Sequence, residues 1–183
     1  MNILLIAGSS RSAATSTILT RYIGQKLQEQ GAAIEVIDLA ELTLPIFTLD
    51  QPDLHPNARK LAEAAVKADG LVLATPEYHG SISGALKNAL DYLQPAHVTG
   101  KAVLSVSSAG GPVGISSLQH LQTIIRNLHG INCAEWISIG YGSNAFGADG
   151  SPVDAGTRQR IHGAVNHFME LAEKLSGKAV SAS

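Results

Sequence analysis

The chain has 183 residues, 45% apolar and 15% charged, a balance that supports a substantial packed core and excludes disorder. A net charge of −2 and a pI near 6.4 leave no basic stripe for nucleic acid, and they are far less acidic than expected of an electron carrier that docks on basic partners. Its single cysteine, Cys133, excludes an internal disulfide and, in an apolar strand candidate, reads as an inert packed thiol.

Asn2 to Ala7, NILLIA, is a continuous apolar run, as expected of a strand covered on both faces. It is too short for a signal peptide, and Gly8 to Arg11 interrupts any apolar extension, so the expectation is a soluble cytoplasmic protein with no membrane partner. Gly8 opens a turn into Ser9 to Thr17, SSRSAATST, which holds six hydroxyl residues and Arg11 ahead of helical spacing at Ile18, Leu19, Tyr22, Ile23 and Leu27. Free N–H groups at a helix start, hydroxyls and a guanidinium together suit a phosphate dianion. Ordinary capping needs only one hydroxyl, but Arg11 opposes the helix dipole unless an anion compensates it. A dinucleotide fold carries G-x-G-x-x-G, whereas this loop has only Gly8, so a terminal monophosphate fits better. Asp38, at the end of the next strand (Ile34 to Asp38), accordingly reads as a strand-end cap.

Leu39 to Pro56 is a long connection with LPIF at Leu44 to Phe47, expected to line a pocket or meet another subunit. Ala58, Leu61, Ala62, Ala65 and Val66 mark a helix with one apolar face. A third strand, Gly70 to Thr75, then leads into PEYHGSISGALKNALDYL, which passes from Pro76, Glu77, Tyr78, His79 and Gly80 into helical spacing at Ile82, Leu86, Ala89, Leu90 and Leu93. Lys87 and Asp91 lie four apart and read as an exposed pair of small worth.

Lys101 to Ser107 is the fourth strand, followed by SSAGGPVG from Ser107 to Gly114. Gly110, Gly111 and Gly114 either let a planar ligand approach the backbone or make a tight strand-to-helix turn, and their position at a strand end favours the ligand. A helix from Ile115 to Leu128, a fifth strand over Asn132 to Ile139, a helix through Ile161, Val165, Phe168, Ala172 and Leu175, and a frayed tail from Ser176 complete the chain. Five strands alternating with five helices predict an α/β fold: a three-layer, doubly wound, five-stranded parallel sheet in the order 2-1-3-4-5. Three loops, Gly8 to Thr17, Pro76 to Ser83 and Ser108 to Gly114, then converge on one ligand at the switch point. No internal repeat or linker divides the chain, so residues 1–183 read as one domain.

GSSR at Gly8 to Arg11, SSAGG at Ser107 to Gly111 and PEYHGSISGALKNALDYL together closely resemble the NAD(P)H-dependent FMN reductase family of flavodoxin-like enzymes, which includes azoreductases and chromate or quinone reductases. The resemblance implies FMN as cofactor and NADPH or NADH as co-substrate. It places the FMN phosphate on Ser9, Arg11, Ser16 and Thr17, and the isoalloxazine against Pro76, Glu77, Tyr78, His79, Gly80, Ser108, Gly110 and Gly111. It also implies ping-pong transfer to acceptors such as quinones, azo compounds, chromate or free flavin, and a homodimer or homotetramer. No side chain is required as acid or base for hydride transfer, and no metal is expected. His79 stands where many members have asparagine, Ser83 where many have proline, and Ala14 where many have serine. Among other classes, a serine hydrolase wants G-x-S-x-G, but GSISG at Gly80 to Gly84 has Ile82 at its centre. A receiver-type domain needs acids after the first strand, where Ala7, Gly8 and Ser9 stand. The remaining rival is an FMN-binding electron carrier or redox-sensing interaction protein.

Overall fold

The computed structural model describes residues 1–50 and 54–177. Its strands are β1 (Asn2–Ala7), β2 (Ala33–Asp38), β3 (Gly70–Pro76), β4 (Ala102–Ser108), β5 (Ile131–Asn132) and β6 (Ile137–Ile139). Its helices are α1 (Thr15–Glu29), α2 (Pro56–Lys67), α3 (Gly84–Asp91), the single turn α4 (Pro95–Val98), α5 (Ile115–Asn127) and α6 (Ala155–Ser176). All strand pairings are parallel, in the order β2-β1-β3-β4-β5, with β6 also on β4. This is the doubly wound order expected from the alternation of apolar runs and amphipathic helices.

The unbroken apolar runs have a physical cause. Along β1, Ile3 and Leu5 join α1 and α6 in one buried cluster, while Leu4 and Ile6 join α2, α3 and α5 in another. Val72 and Ala74 of β3 face the first cluster, and Leu71 and Leu73 the second. A central strand with no solvent face has no position that favours a polar residue.

The fifth strand departs from expectation. It is not continuous over Asn132 to Ile139 but comes in two pieces, because the chain spends four residues, Cys133 to Trp136, where β4 spends two, Leu104 and Ser105. Glu135, inside this bulge, faces outward and bonds His167 of α6 at 2.6 Å. Cys133 is buried at the break, with its thiol 3.4 Å from the Glu135 carboxylate. Opposite, the Ser105 hydroxyl is buried without a partner.

The connection after β2 is pinned to α3. Asn88 accepts from the Phe47 N–H at 2.8 Å and donates to the Pro45 carbonyl at 2.8 Å, and the Tyr92 hydroxyl reaches the same carbonyl at 3.1 Å. The Phe47 ring meets Tyr92 edge-on, centroids 5.2 Å apart. Lys87 and Asp91 form the expected exposed pair, 2.6 Å apart. Residues 51–53 of this connection and the tail beyond Gly177, where fraying was expected, lie outside the described residues.

The carboxyl ends of the strands are stitched edge to edge by backbone bonds that continue past the sheet: Leu39 to Ala7, Gly8 to Ala74, Glu77 to Ser108 and Ala109 to Ile139, at 2.8–3.0 Å. The loops leaving β1, β3 and β4 are thereby held side by side.

Candidate active site

Three helices begin around this junction, and their N-termini differ. Helix α3 is capped by Ser83, whose hydroxyl accepts from the Leu86 N–H at 3.0 Å. Helix α5 has Gly114 at its N-cap position, and Glu77 substitutes for the missing side chain: Ser117 N–H donates to Glu77 Oε2 at 3.0 Å. Helix α1 has neither. Its N-cap residue is Ala14, which makes no side-chain cap, and its first turn holds no acidic residue. Its first N–H groups thus lack capping partners.

The hydroxyl cluster that precedes α1 does not serve as its cap. Ser9 is buried, and its Oγ accepts the Arg11 N–H at 3.1 Å, which shapes the loop. Ser16 and Thr17 are buried in the first turn with hydroxyls that find no partner. Such a deficit costs free energy unless a ligand supplies an acceptor. Arg11 is exposed, and none of the ion pairs among the described residues involves it. A positive helix end, a free guanidinium and two orphaned hydroxyls form a donor set suited to a phosphate dianion, so the residues present fit the expected group.

A cleft of about 230 Å³ opens beside this loop, lined by Arg11, Ala14, Thr15, Ser16, Pro76, Glu77, Tyr78, Ser108, Ala109, Gly110 and Asn144. Seven of the twelve residues singled out in the sequence are among these. A groove of about 210 Å³ lined by Asn2, Ala33, Glu35 and Lys67 lies at the amino ends of β1 and β2, remote from the loops. The cleft also holds Asn144, from the loop after β6, which sequence reasoning did not single out.

The predicted residues outside the lining are also placed. His79 and Gly80 form the tip of a two-residue hairpin in which Tyr78 and Ser81 exchange both backbone hydrogen bonds at 3.0 Å. Both tip residues have positive φ, 52° and 72°, as a type I′ turn demands. Tyr78, 48% exposed, stands on the hairpin with its ring open to solvent. Ser81 Oγ lies 2.9 Å from His120 Nδ1 of α5, a second tie of the hairpin to that helix. Ser9 and Thr17 lie buried behind the first loop. Gly111 uses its carbonyl to accept the Tyr141 N–H at 2.8 Å.

The glycines of SSAGGPVG divide by role. A Cβ on Gly114 would collide with the Ser107 side chain, so that glycine serves packing, whereas Gly110 and Gly111 have no such neighbour within 4 Å. Asp38 is a strand-end cap: Oδ1 accepts the Ala40 N–H at 3.0 Å, and Oδ2 pairs with Arg21 at 3.3 Å. Among the described residues no cluster of three or more potential ligands can hold a metal ion, and no helix is long and apolar enough to cross a membrane.

The profile of the NADPH-dependent FMN reductase family matches residues 1–144. The chain belongs to this family. It is 37% identical over 155 residues to the FMN-dependent NADPH-azoreductase of Staphylococcus aureus, covering 81% of each chain. Among solved structures it is similar to FerB, a flavoenzyme NAD(P)H:(acceptor) oxidoreductase from Paracoccus denitrificans, with a TM-score of 0.82, 22% identity, and 95% and 98% of the two chains covered. An NADH:FMN oxidoreductase in its apo form gives a TM-score of 0.77 at 22% identity, over 97% of this chain and 91% of that one. A flavodoxin from the Archaea shares the fold at a TM-score of 0.64 and 12% identity, over 96% and 99% of the chains. Membership in the FMN reductase family makes this chain an FMN-dependent oxidoreductase that draws electrons from NAD(P)H.

Proposed function

We propose that residues 1–183 form a single FMN-binding domain in which the loop after β1 holds the phosphate and the loops after β3 and β4 hold the ring. The observation that carries this reading is the selective absence of a cap. Of the three helix N-termini around the cleft, two are satisfied by loop side chains, and α1 alone is left open, beside Arg11 and the orphaned hydroxyls of Ser16 and Thr17. Bound FMN supplies the two-electron chemistry, accepting hydride and passing electrons to an acceptor. The chain's own part is to seat the phosphate, to present backbone donors of the hairpin and of Ser108 to Gly111, and to leave one side of the cleft accessible.

NADPH or NADH and the acceptor use that accessible place in turn, so the kinetics are ping-pong. Quinones, azo compounds, chromate and free flavin are the acceptor class, because a cleft left open on one side admits any of them. The protein works in the cytoplasm, a reducing compartment that suits an unpaired cysteine.

The working form is a homodimer or homotetramer. Ile46 and Leu49, 84% and 89% exposed, project from a connection that Asn88 and Tyr92 hold against α3, an arrangement suited to burial against a second copy. Light scattering at micromolar concentration is expected to give a multiple of the chain mass, and a monomer would reject the assembly.

The deciding experiment is turnover. The purified protein is expected to carry FMN in preference to riboflavin or FAD, to oxidise a nicotinamide, and to give parallel double-reciprocal plots against a quinone or azo acceptor. A protein that binds FMN without oxidising NADPH or NADH is the electron carrier instead, and equal affinity for riboflavin rejects the phosphate seat.

A further inference from the structure

Ser83 is 2% exposed and, besides the helical bond its carbonyl accepts from the Lys87 N–H at 3.0 Å, takes part in three hydrogen bonds. Its N–H donates to Thr75 Oγ1 at 2.9 Å, its Oγ accepts the Leu86 N–H at 3.0 Å, and the hydroxyl proton goes to the carbonyl of Gly8. Thr75 in turn donates its own hydroxyl to the Pro76 carbonyl at 2.8 Å. Gly8 is the residue that turns β1 into the loop bearing Ser9 and Arg11, and its N–H is already committed to Ala74 of β3 at 2.8 Å. The approach is so close that a Cβ on Gly8 would lie 2.5 Å from the Ala74 carbonyl oxygen. One buried hydroxyl therefore belongs to two loops: it fixes the exit of the first and closes the base of the hairpin in the second.

The residue type at this position matters beyond its backbone. Ser83 has φ −62° and ψ 146°, values that proline adopts without strain. A proline here keeps the path of the chain but has neither an N–H for Thr75 nor a hydroxyl for Gly8 and Leu86. The serine therefore contributes hydrogen bonds, and turn rigidity does not account for it. Because the bonds are buried, losing one leaves an unsatisfied group rather than a solvated one, so the two loops keep them by moving together.

We propose that Ser83 is a positioning residue that couples the phosphate seat to the ring loop, so that filling the loop after β1 presets the hairpin for the isoalloxazine. The inference rests on the reading of that loop as the FMN phosphate seat. It makes a quantitative demand, since coupling between two sites is reciprocal. Inorganic phosphate must tighten riboflavin, and riboflavin must tighten phosphate by the same factor.

The test uses the full-length protein freed of flavin, with riboflavin fluorescence titrated in the absence and presence of saturating inorganic phosphate. Wild-type protein is expected to bind riboflavin at least about fivefold more tightly with phosphate present, the low end of measured site-to-site couplings. Its bound-flavin absorption band is expected to shift with the phosphate. In Ser83→Ala and Ser83→Pro the factor is expected to fall below about twofold, while riboflavin alone still binds; Ser83→Thr, which keeps the hydroxyl and the N–H, restores it. A residue that only caps α3 would change melting temperature and leave the factor alone. An unchanged factor in both Ala and Pro variants, or no coupling in the wild type while FMN still binds more tightly than riboflavin, overturns the proposal and leaves the cofactor assignment standing. FMN binding no tighter than riboflavin overturns both. Should the Ser83 variants fail to fold, Thr75→Val removes the acceptor of the Ser83 N–H from the other side of the joint. The factor is expected to drop there too, and its persistence overturns the coupling.

Discussion

Glu77, at the start of the hairpin after β3, accepts a hydrogen bond from the backbone N–H of Ser117, 40 residues further along the chain, at 3.0 Å. The carboxylate thus completes the first turn of α5 and ties the hairpin to that helix. Its negative charge is used at a positive helix end, which leaves no reason to assign it a proton-transfer role. Glu77→Ala is expected to cost about 0.5–2 kcal/mol, the usual range for a lost cap. For a chain of this size that lowers the melting temperature by about 2–4 °C per kcal/mol. Glu77→Gln keeps an acceptor oxygen and is expected to retain most of the stability and to reduce its flavin within about tenfold of wild type, whereas loss of an acid or base costs about 10²–10⁴-fold. Thermal melts and stopped-flow reduction read the two effects separately.

The orphaned hydroxyls of Ser16 and Thr17 predict effects of opposite sign on the empty and loaded protein. In the flavin-free protein a buried hydroxyl without a partner is a liability of about 1–3 kcal/mol, which Thr17→Val removes at nearly constant volume. The variant's flavin-free form is expected to melt higher and its FMN affinity to fall. Arg11→Ala, at an exposed position, is expected to leave the fold intact and weaken FMN by about 1.5–3 kcal/mol, with riboflavin affinity little changed. Retention of FMN in both variants would mean that the phosphate lies elsewhere.

How much of this was readable in the chain depended on range. The runs NILLIA and KAVLSVS were legible as buried strands because central positions in a two-faced sheet accept apolar residues throughout. The loop after β1 stood out as a candidate phosphate seat because Arg11 at a helix start is locally unfavourable. The break in the fifth strand was not, since Cys133, Trp136 and Ile137 preserve an apolar pattern while the register slips by two residues. Nor was the partner of Glu77: capping is usually sought within four residues, and here it reaches from the loop after β3 to α5, past α3 and α4. Position 83 stood out only as a serine where many members have proline, because a bond to Gly8 across 75 residues has no local signature. Ala14 as N-cap was obscured by the hydroxyls around it, any of which makes a better cap.

Cys133 yields a prediction about pH. Burial pushes its thiol up from the ordinary value of 9.0 to about 11, with the Glu135 carboxylate beside it also favouring the protonated form. At pH 8 only roughly one thiol in a thousand is ionised, so alkylation by iodoacetamide is expected to be far slower than for an unfolded control. The same shift sets the sign of a stability change. Above pH 9 the unfolded chain loses the proton first and binds fewer protons than the native state, so stability falls as the pH rises from about 9 to about 11. The slope is at most about 1.4 kcal/mol per pH unit for this one group. Cys133→Ala abolishes that part of the decline, and an identical alkaline profile in the two proteins would assign it to other groups.

His79 decides whether the hairpin acts by shape or by proton transfer. It occupies the first tip position of a turn whose two central residues both have positive φ, a conformation that asparagine and glycine enter easily and other side chains at some cost. The imidazole is exposed, whereas its neighbours Tyr78 and Ser81 hold the turn through the backbone. Asparagine at position 79 therefore preserves, and on conformational grounds improves, the geometry of the loop while removing the imidazole. Hydride transfer needs stacking, orientation and a tuned flavin, all of which backbone donors and loop shape supply. His79→Asn is accordingly expected to reduce its flavin with NAD(P)H within about tenfold of the wild-type rate across pH 6 to 8. Stopped-flow absorbance of the bound flavin measures this directly. A drop of about a hundredfold or more with FMN retained and the fold intact is the size of effect that general acid–base catalysis produces, and it would give the imidazole a chemical role.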